Sequence, residues 1–184
     1  MSWNFETEHF FIRLPVSDTD GAALYELLRH DSAVAHIPRL PMSVSDQPED
    51  ELRRVAMRFE SREAAYWFIE RKNDGQIIAR IGIQHINWMM LNAQLQWELA
   101  DDCELTALQE ALPVITEYLM KDLHIQRLEM RLRPHVQRLD GNTHEDYLNE
   151  LGFEYEGTLP AQLEFDEQDV DLAVYSLINE ETVH

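Results

Sequence analysis

Apolar and polar residues alternate strictly from Ala93 to Leu99, and the spacing then changes to that of a helix. In this stretch every odd-numbered position is apolar, whereas the positions between are Gln or Glu. Such alternation predicts a strand with one buried face. From Leu108 onward, apolar residues three or four positions apart predict an amphipathic helix. Thr106 and Gln109 match a capping box, so we expect this helix to begin there.

The loop Asp101–Leu105 joins the predicted strand to the predicted helix. A helix N-terminus attracts anions because the N–H groups of its first turn have no partner within the helix. This loop has no glycine, and it carries carboxylates at Asp101, Asp102 and Glu104. Glycine would let the backbone approach a phosphate closely. The backbone of this loop therefore favours an anion, whereas its side chains oppose one.

The rest of the chain continues the alternation of strands and helices. Helix one has Ala23, Leu24, Leu27 and Leu28 on its apolar face, and helix two is capped by Asp46 and Glu49. Asp-Gly at Asp74-Gly75 predicts a hairpin turn. The segments Ser32–Met42 and Pro134–Gly141 read as irregular. The other predicted strands are Glu8–Leu14, Ala65–Arg71, Ile77–Ile86, Ile125–Arg133, Phe153–Thr158 and Val170–Ile178, and a short helix spans His144–Leu151 before Gly152.

Pro113 falls inside the third predicted helix, where it removes a backbone donor. Either the helix bends at this residue, or its regular part starts there, and the sequence leaves both open. The predicted order is β-α-α-β-β-β-α-β-α-β-β. With no repeat, low-complexity tract or linker, we expect one domain spanning residues 1–184.

Composition narrows the classes of partner. The 184 residues are 45% apolar and carry a formal net charge of −20, which disfavours nucleic acid and anionic membranes. The charge permits a cationic partner such as an amine, although a solvated acidic surface explains it equally well. One cysteine, Cys103, excludes an internal disulfide, and we expect a cytoplasmic location. No apolar run approaches the length of about 20 residues that a membrane span needs.

Five stretches of the chain are informative when taken in sequence order. The most specific is Leu-Gly-Phe-x-x-Glu-Gly at Leu151–Gly157. The others are Glu8–Leu14 with the following helix, Ile77–Trp88, Ala93–Leu99 and Asp171–Leu177. Together and in this order they resemble the GNAT superfamily of acyl-CoA N-acyltransferases, in particular the type that acetylates the N-termini of ribosomal proteins.

The resemblance implies an α/β (α+β) domain with a mixed, splayed central sheet and about four flanking helices. In such a fold acetyl-CoA enters where two parallel strands separate, and a primary amine attacks the thioester. Backbone groups of the fourth strand hold the pantetheine arm, and amides of a glycine-rich loop hold the pyrophosphate. By position, the expected donor-binding residues here are Trp97, Leu99, Ala100, Thr106 and Ala107.

The sequence departs from the family pattern at two places. Glu104–Gln109 stands where the glycine loop is expected. The Asn of the family's Asn-x-Ala-Ser motif would fall on Gly141 and its Ser on His144, and extra residues within His135–Asp140 precede the motif. The tyrosine that serves as general acid in many members would fall on Leu148. None of these functional residues transfers to this chain.

Candidates for the chemistry are therefore few. Glu98 is a candidate base for an incoming ammonium, and Tyr147 is a candidate acid for a leaving thiolate. Trp88 and Trp67, together with Trp97, are candidate walls of an acceptor pocket. For each of these residues a purely structural role explains the pattern as well.

The charged and reactive side chains divide into three groups. Arg127, Arg131, Arg133 and Arg138 are candidates for CoA phosphates, or simply one exposed face of a strand. Cys103 is a poor nucleophile, because neighbouring carboxylates raise the pKa of its thiol. The histidines, such as His135 and His144, show no ligand spacing, so we expect no metal.

These observations predict an enzyme that moves an acetyl group from acetyl-CoA to a primary amine, either a protein N-terminus or a small amine. The first alternative is a non-catalytic GNAT-like domain that binds an amine, an acyl carrier or a protein. The second is an interaction role, for instance a homodimer through the apolar run Trp88–Leu91.

Overall fold

Eight strands form one mixed sheet in the computed structural model of the protein. It describes residues 2–44, 46–165 and 168–180, without the side chains of 161–165 and 168. The strand order is β1-β2-β3-β4-β5-β6-β8-β7, with β5 parallel to β6 and the other neighbours antiparallel. The strands are β1 Phe5–Glu6, β2 Phe10–Arg13, β3 Ala65–Arg71, β4 Ile77–Asn87, β5 Asn92–Leu99, β6 Arg127–Leu132, β7 Glu154–Phe165 and β8 Gln168–Ile178.

Helices cover both faces of the sheet. On one face, α1 (Gly21–Leu28), α2 (Asp31–Val34) and α3 (Pro48–Glu60) pack around Phe68. On the other face, α4 (Leu105–Glu117) and α5 (His144–Glu150) pack around Trp97. Alternate residues of the central strands supply the two cores, because successive side chains of a strand point to opposite faces.

The sheet opens between β5 and β6. The two strands pair only from Asn92 opposite Arg127 to Gln94 opposite Glu129. Beyond that point β5 continues to Leu99 and β6 continues to Leu132 without pairing. This divergence, which we call the crevice, confirms the predicted splayed sheet.

Local sequence signals placed several elements correctly. The strand Ala65–Arg71 has the predicted bounds, and Gly75 in the following hairpin turn has a φ of 70°. Gly152, with a φ of 91°, follows α5, which begins at His144 as expected. These turns need the left-handed backbone conformation that glycine adopts without strain.

The irregular segment predicted for Ser32–Met42 is partly wrong, because α2 begins at Asp31 and ends at Val34. Asp46 is not the cap of α3. Its carboxylate accepts a hydrogen bond from the Ser43 N–H instead, and Gln47 occupies the N-cap. The strands β7 and β8 are longer than predicted, and β1 and α2 are additional elements.

The capping box predicted at Thr106 does not form. The helix α4 begins at Leu105, and Glu104 is its N-cap without a side-chain cap bond. Of the two alternatives for Pro113, the structure excludes a regular part that starts there, because α4 runs through this proline. A π-helical turn, Tyr118–Asp122, follows directly.

Candidate functional site

His36 lies in the crevice between β5 and β6. Its ring Nε2 donates a hydrogen bond to the Trp97 carbonyl on β5, at 2.7 Å. Its own carbonyl accepts a hydrogen bond of 2.8 Å from the N–H of Arg133, directly after β6. The side chain is fully buried. One residue from the segment after α2 thus connects the two diverging strands.

A second buried histidine packs against the first. The rings of His36 and His144 are stacked, with centroids 3.8 Å apart and planes 15° from parallel. The Trp97 indole N–H donates to His144 Nδ1 at 3.0 Å. Both hydrogen bonds assign a tautomer, because a carbonyl only accepts and an indole only donates. Each neutral ring therefore carries its proton on Nε2.

Burial holds both rings in the neutral form. Removal from water lowers the pKa of His36 to about 4, although its bond to Trp97 works in the opposite direction. Burial, followed by the charges of His36 and Arg138, lowers the pKa of His144 to about 2. At neutral pH the pair is uncharged.

One nitrogen of each ring has no hydrogen-bond partner within the described part of the chain. These atoms are His36 Nδ1, an acceptor, and His144 Nε2, a donor. A buried polar atom left in this way costs about 1–3 kcal/mol. The hydrogen-bonding capacity of the two histidine rings in the crevice is thus only partly used. Among residues 2–44, 46–165 and 168–180, no three His, Cys, Asp or Glu side chains are grouped as metal ligands would be.

Arg138 covers the loop that precedes α4. Its guanidinium donates to the carbonyls of Ala100, at 2.9 Å, and Cys103, at 2.7 Å. It also donates to the hydroxyl of Tyr147 at 3.3 Å, and that hydroxyl donates to Asp140 at 2.6 Å. The predicted loop Pro134–Gly141 therefore places the positive charge of Arg138 beside the backbone of the segment that carries the carboxylates of Asp101, Asp102 and Glu104.

The N-terminus of α4 opens onto a cleft of about 480 Å³. Thr106 and Ala107 line this cleft, together with Asp102, Glu104 and Arg71. Arg71 is already bound to Asp74 and Asp102. In this first turn the N–H of Ala107 already donates to the Glu104 carbonyl at 3.1 Å. The cleft faces β2 and β4, since Phe10 and Ile78 also line it, and no residue of β5 or β6 is among its lining residues.

Glu98 lies in a buried ion pair. Its carboxylate accepts two hydrogen bonds from Arg80, at 2.8 and 3.1 Å, and a third from Gln96 at 3.2 Å. Burial alone would raise the pKa of Glu98, but the charge and hydrogen bonds of Arg80 bring it below its usual range. Arg80 also binds Glu51 at 2.8 Å. This arrangement argues against Glu98 as the base, since its oxygens are occupied and weakly basic.

The two tryptophans expected in an acceptor pocket lie away from the crevice. Trp67 is fully buried in the core around α4, and its indole donates to the Trp3 carbonyl. Trp88 is in the turn between β4 and β5, at the end where β5 and β6 are still paired. It lies under Arg62, to whose carbonyl it also donates. Neither therefore forms a wall of the crevice.

Of the four arginines considered for phosphate binding, Arg138 lies apart from Arg127 and Arg131. Arg127 is bound to Glu129 and Glu156, and Arg131 is bound to Glu129. Both lie on the side of β6 away from α4, since the alternate residues of that strand belong to the core around α4. Arg138 instead donates a hydrogen bond to the Cys103 carbonyl in the loop Asp101–Leu105, which we call the donor loop.

Cys103 and Tyr147 have perturbed pKa values. Burial, with smaller contributions from Asp102 and Glu104, raises the pKa of the Cys103 thiol to about 12, which agrees with its predicted lack of reactivity. Burial and then the Asp140 carboxylate raise the pKa of Tyr147. Tyr147 therefore keeps its proton at neutral pH.

Sequence reasoning missed His36 and Arg80. An isolated histidine in an irregular segment gives no signal, because its role depends on which strand it contacts. Arg80 did give a signal, since a charge in the middle of the apolar stretch Ile77–Ile86 requires a buried partner. Glu98, on the neighbouring strand, is that partner.

Comparison with known proteins identifies the family. Residues 10–138 match the family model described as acetyltransferase (GNAT) domain. This match covers more than half of the chain, and the chain belongs to that family. N-acetyl transfer is therefore the class of function. A search of curated proteins finds no significant match.

Solved structures share the whole fold at low sequence identity. The ribosomal-protein-S5-alanine acetyltransferase of Vibrio fischeri aligns over 100% of both chains, with 20% identity and a TM-score of 0.81. RimL, a ribosomal L7/L12 alpha-N-protein acetyltransferase in complex with coenzyme A, aligns over 94% of this chain and 95% of its own, with 14% identity and a TM-score of 0.78. A mutant of the SpeG spermidine N-acetyltransferase of Vibrio cholerae aligns over 95% of this chain and 96% of its own, with 11% identity and a TM-score of 0.71.

The substitution Glu98→Gln separates a structural from a catalytic role. We expect a loss of about 3 kcal/mol in the free energy of unfolding, measured in urea, because Arg80 keeps a buried charge with one partner fewer. The matched change Glu117→Gln removes an exposed pair with Lys121 and should cost less than about 1 kcal/mol. Below its melting temperature, Glu98→Gln should retain acetyl transfer. A folded variant without activity would contradict the structural role.

The histidine pair predicts an acid-sensitive fold. The unfolded chain binds protons at a pKa of about 6.5, whereas the pKa of folded His36 is about 4. The unfolded state thus binds more protons in this window, and stability falls as the pH decreases from about 7 to 4. Each histidine contributes a slope of at most about 1.4 kcal/mol per pH unit.

Urea unfolding at pH 7, 6 and 5 measures this slope. The variant His36→Gln offers an N–H to the Trp97 carbonyl but does not titrate, so its slope should be smaller. The exposed His9, whose pKa Glu110 raises, has the opposite effect on the pH dependence of stability. Because both proteins contain His9, its contribution cancels when the two slopes are compared. Equal slopes in the two proteins would contradict the burial of a neutral His36.

Proposed function

We propose that this protein transfers an acetyl group from acetyl-CoA to a primary amine. The observation that carries the proposal is the parting of β5 and β6 beside the N-terminus of α4. Membership in the GNAT acetyltransferase family supports the same reaction. The non-catalytic alternative rested on the missing glycine loop and the missing Asn-x-Ala-Ser motif. Arg138 supplies a positive charge beside the first of these.

The donor side is built from β5, the following loop and Arg138. The carbonyl of Trp97 points into the crevice, as its bond to His36 demonstrates. The N–H of Thr106, in the first turn of α4, is suited to a pyrophosphate, whereas that of Ala107 would have to exchange its hydrogen bond to the Glu104 carbonyl. Arg138 offsets the repulsion from Asp101, Asp102 and Glu104, and it orients the loop through two of its carbonyls. It is the group that we assign to the donor phosphates.

The acceptor side is the sheet face that carries α1, α2 and α3. Beside the crevice this face presents Gln94 and Gln96, which are partly exposed. The net charge of −20 attracts cationic amines. Structural neighbours are named for ribosomal proteins and for spermidine as acceptors. We infer that the acceptor is a protein N-terminus or a small amine.

We assign Tyr147 the role of the acid that protonates the leaving thiolate. Its raised pKa keeps the hydroxyl protonated, and its contact with Arg138 sets it beside the donor loop. In this structure the Tyr147 hydroxyl donates a hydrogen bond to Asp140. To act as acid, Tyr147 must exchange this bond for one to the leaving thiolate. Acetyl-CoA supplies the thioester, and the amine nitrogen attacks its carbonyl.

We also propose a cytoplasmic location and a homodimer through the turn Trp88–Leu91. In this turn Met89 is 94% exposed and Met90 is 68% exposed, which supports contact with another chain. Within the part of the chain that the structure describes, no helix has the length and hydrophobicity to span a bilayer.

Isothermal titration tests the donor site. Acetyl-CoA should bind the parent protein, and Arg138→Ala should bind it about 10- to 100-fold more weakly, because a charge-assisted contact is worth about 1.5–3 kcal/mol. The control Lys121→Ala removes an equal charge in the π-helical turn that follows α4 and should leave the affinity unchanged. The donor assignment fails if the parent binds no acetyl-CoA at millimolar concentration.

Release of CoA thiol tests the reaction. N-terminal peptides of ribosomal proteins and spermidine should each be assayed as acceptors, and at least one should give turnover. The variant Tyr147→Phe keeps the ring that packs on Arg138 but lacks the proton, so its kcat should fall about 100-fold or more with little change in KM. No thiol release with a broad amine panel would favour the non-catalytic alternative.

A further inference from the structure

His36 occupies a hydrogen-bonding position that the donor site needs. The Trp97 carbonyl faces the gap between the strands, where β6 no longer pairs with β5. In the closed structure this carbonyl accepts the ring N–H of His36 at 2.7 Å. An amide N–H of a linear acyl carrier that extended along β5 would seek the same acceptor. The two cannot be bound at the same place together.

The side chain can leave without unfolding its segment. The His36 backbone is fastened separately, through its carbonyl, to the N–H of Arg133. The ring is held by the Trp97 carbonyl and by stacking on His144. Its Nδ1 has no partner among the described residues, and water would provide one once the ring turned out. Rotation about the side-chain bonds, with movement of the residues packed around this buried ring, would uncover the Trp97 carbonyl.

His144 stays as the floor of the crevice when the ring moves. The Trp97 indole and its place at the start of α5 hold this second ring independently of His36. The face that His36 now covers would then meet the incoming carrier. Stacking between the two rings is lost, whereas the contact between α5 and β5 remains.

We propose that His36 is the gate of the donor crevice, a side chain that closes the Trp97 carbonyl in the free protein and turns out when the acyl donor binds. This inference rests on the proposed function for the identity of the donor. His36 is a gating residue that competes for a backbone acceptor, and it takes no part in the chemical step.

Calorimetry with CoA on His36→Ala tests the gate. Removal of the competing ring should tighten CoA binding about fivefold, the factor expected for one hydrogen bond. His30→Ala, an exposed histidine that pairs with Glu26, is the matched control and should leave the affinity unchanged.

Nitrogen-15 NMR of the histidine rings in the parent protein gives a second readout that needs no variant and no turnover. The free protein should give His36 as a neutral ring protonated on Nε2. Addition of CoA should change this signal to that of a solvent-exposed, exchanging ring.

The outcomes separate the two claims. If CoA binds the parent but leaves the His36 signal unchanged and binds His36→Ala with equal affinity, the gate is disproved and the proposed function stands. If CoA binds His36→Ala but not the parent, the gate is supported and the parent fails as an acetyl-CoA enzyme. If CoA binds neither protein, both claims fail.

Discussion

Pairing between β5 and β6 stops after three residues, and the site is built around the backbone groups that this leaves open. Such groups must find other partners, since a buried carbonyl or N–H without one is costly. Here the segment after α2 supplies them, through the ring of His36 on Trp97 and its carbonyl on Arg133. His36 therefore bridges the opening with two hydrogen bonds, one to each strand side. Exchange of the bond between its ring and the Trp97 carbonyl would uncover that carbonyl.

On the proposed assignment of the donor site, Arg138 compensates for the missing glycine loop from elsewhere in the chain. Without glycine, the stretch Asp101–Leu105 carries side chains and negative charge where a phosphate would bind. Arg138, from the extended loop before α5, binds two carbonyls of this stretch and brings the opposite charge. The additional residues within His135–Asp140 lengthen the loop that carries Arg138. Family membership and the changed loop are thus compatible.

Elements defined by neighbouring residues could be predicted from the sequence, whereas contacts between distant segments could not. The alternation along Ala93–Leu99 predicted β5, because the period of a strand is a local property. Local patterns also gave the order of most elements, and the resemblance to a family supplied the opening of the sheet. Glu98 read as a solvated or catalytic carboxylate because its partner, Arg80, is 18 residues away in sequence. His36 was missed for the same reason, with 61 residues separating it from Trp97.

A crystal structure of the protein grown with CoA would show directly whether the crevice holds the acyl donor. We expect CoA between the parted strands, with an amide N–H on the Trp97 carbonyl, its phosphates beside Arg138 and the N-terminus of α4, and the His36 ring turned away. CoA bound elsewhere, with the hydrogen bond from His36 to Trp97 intact, would contradict both the donor site and its gate.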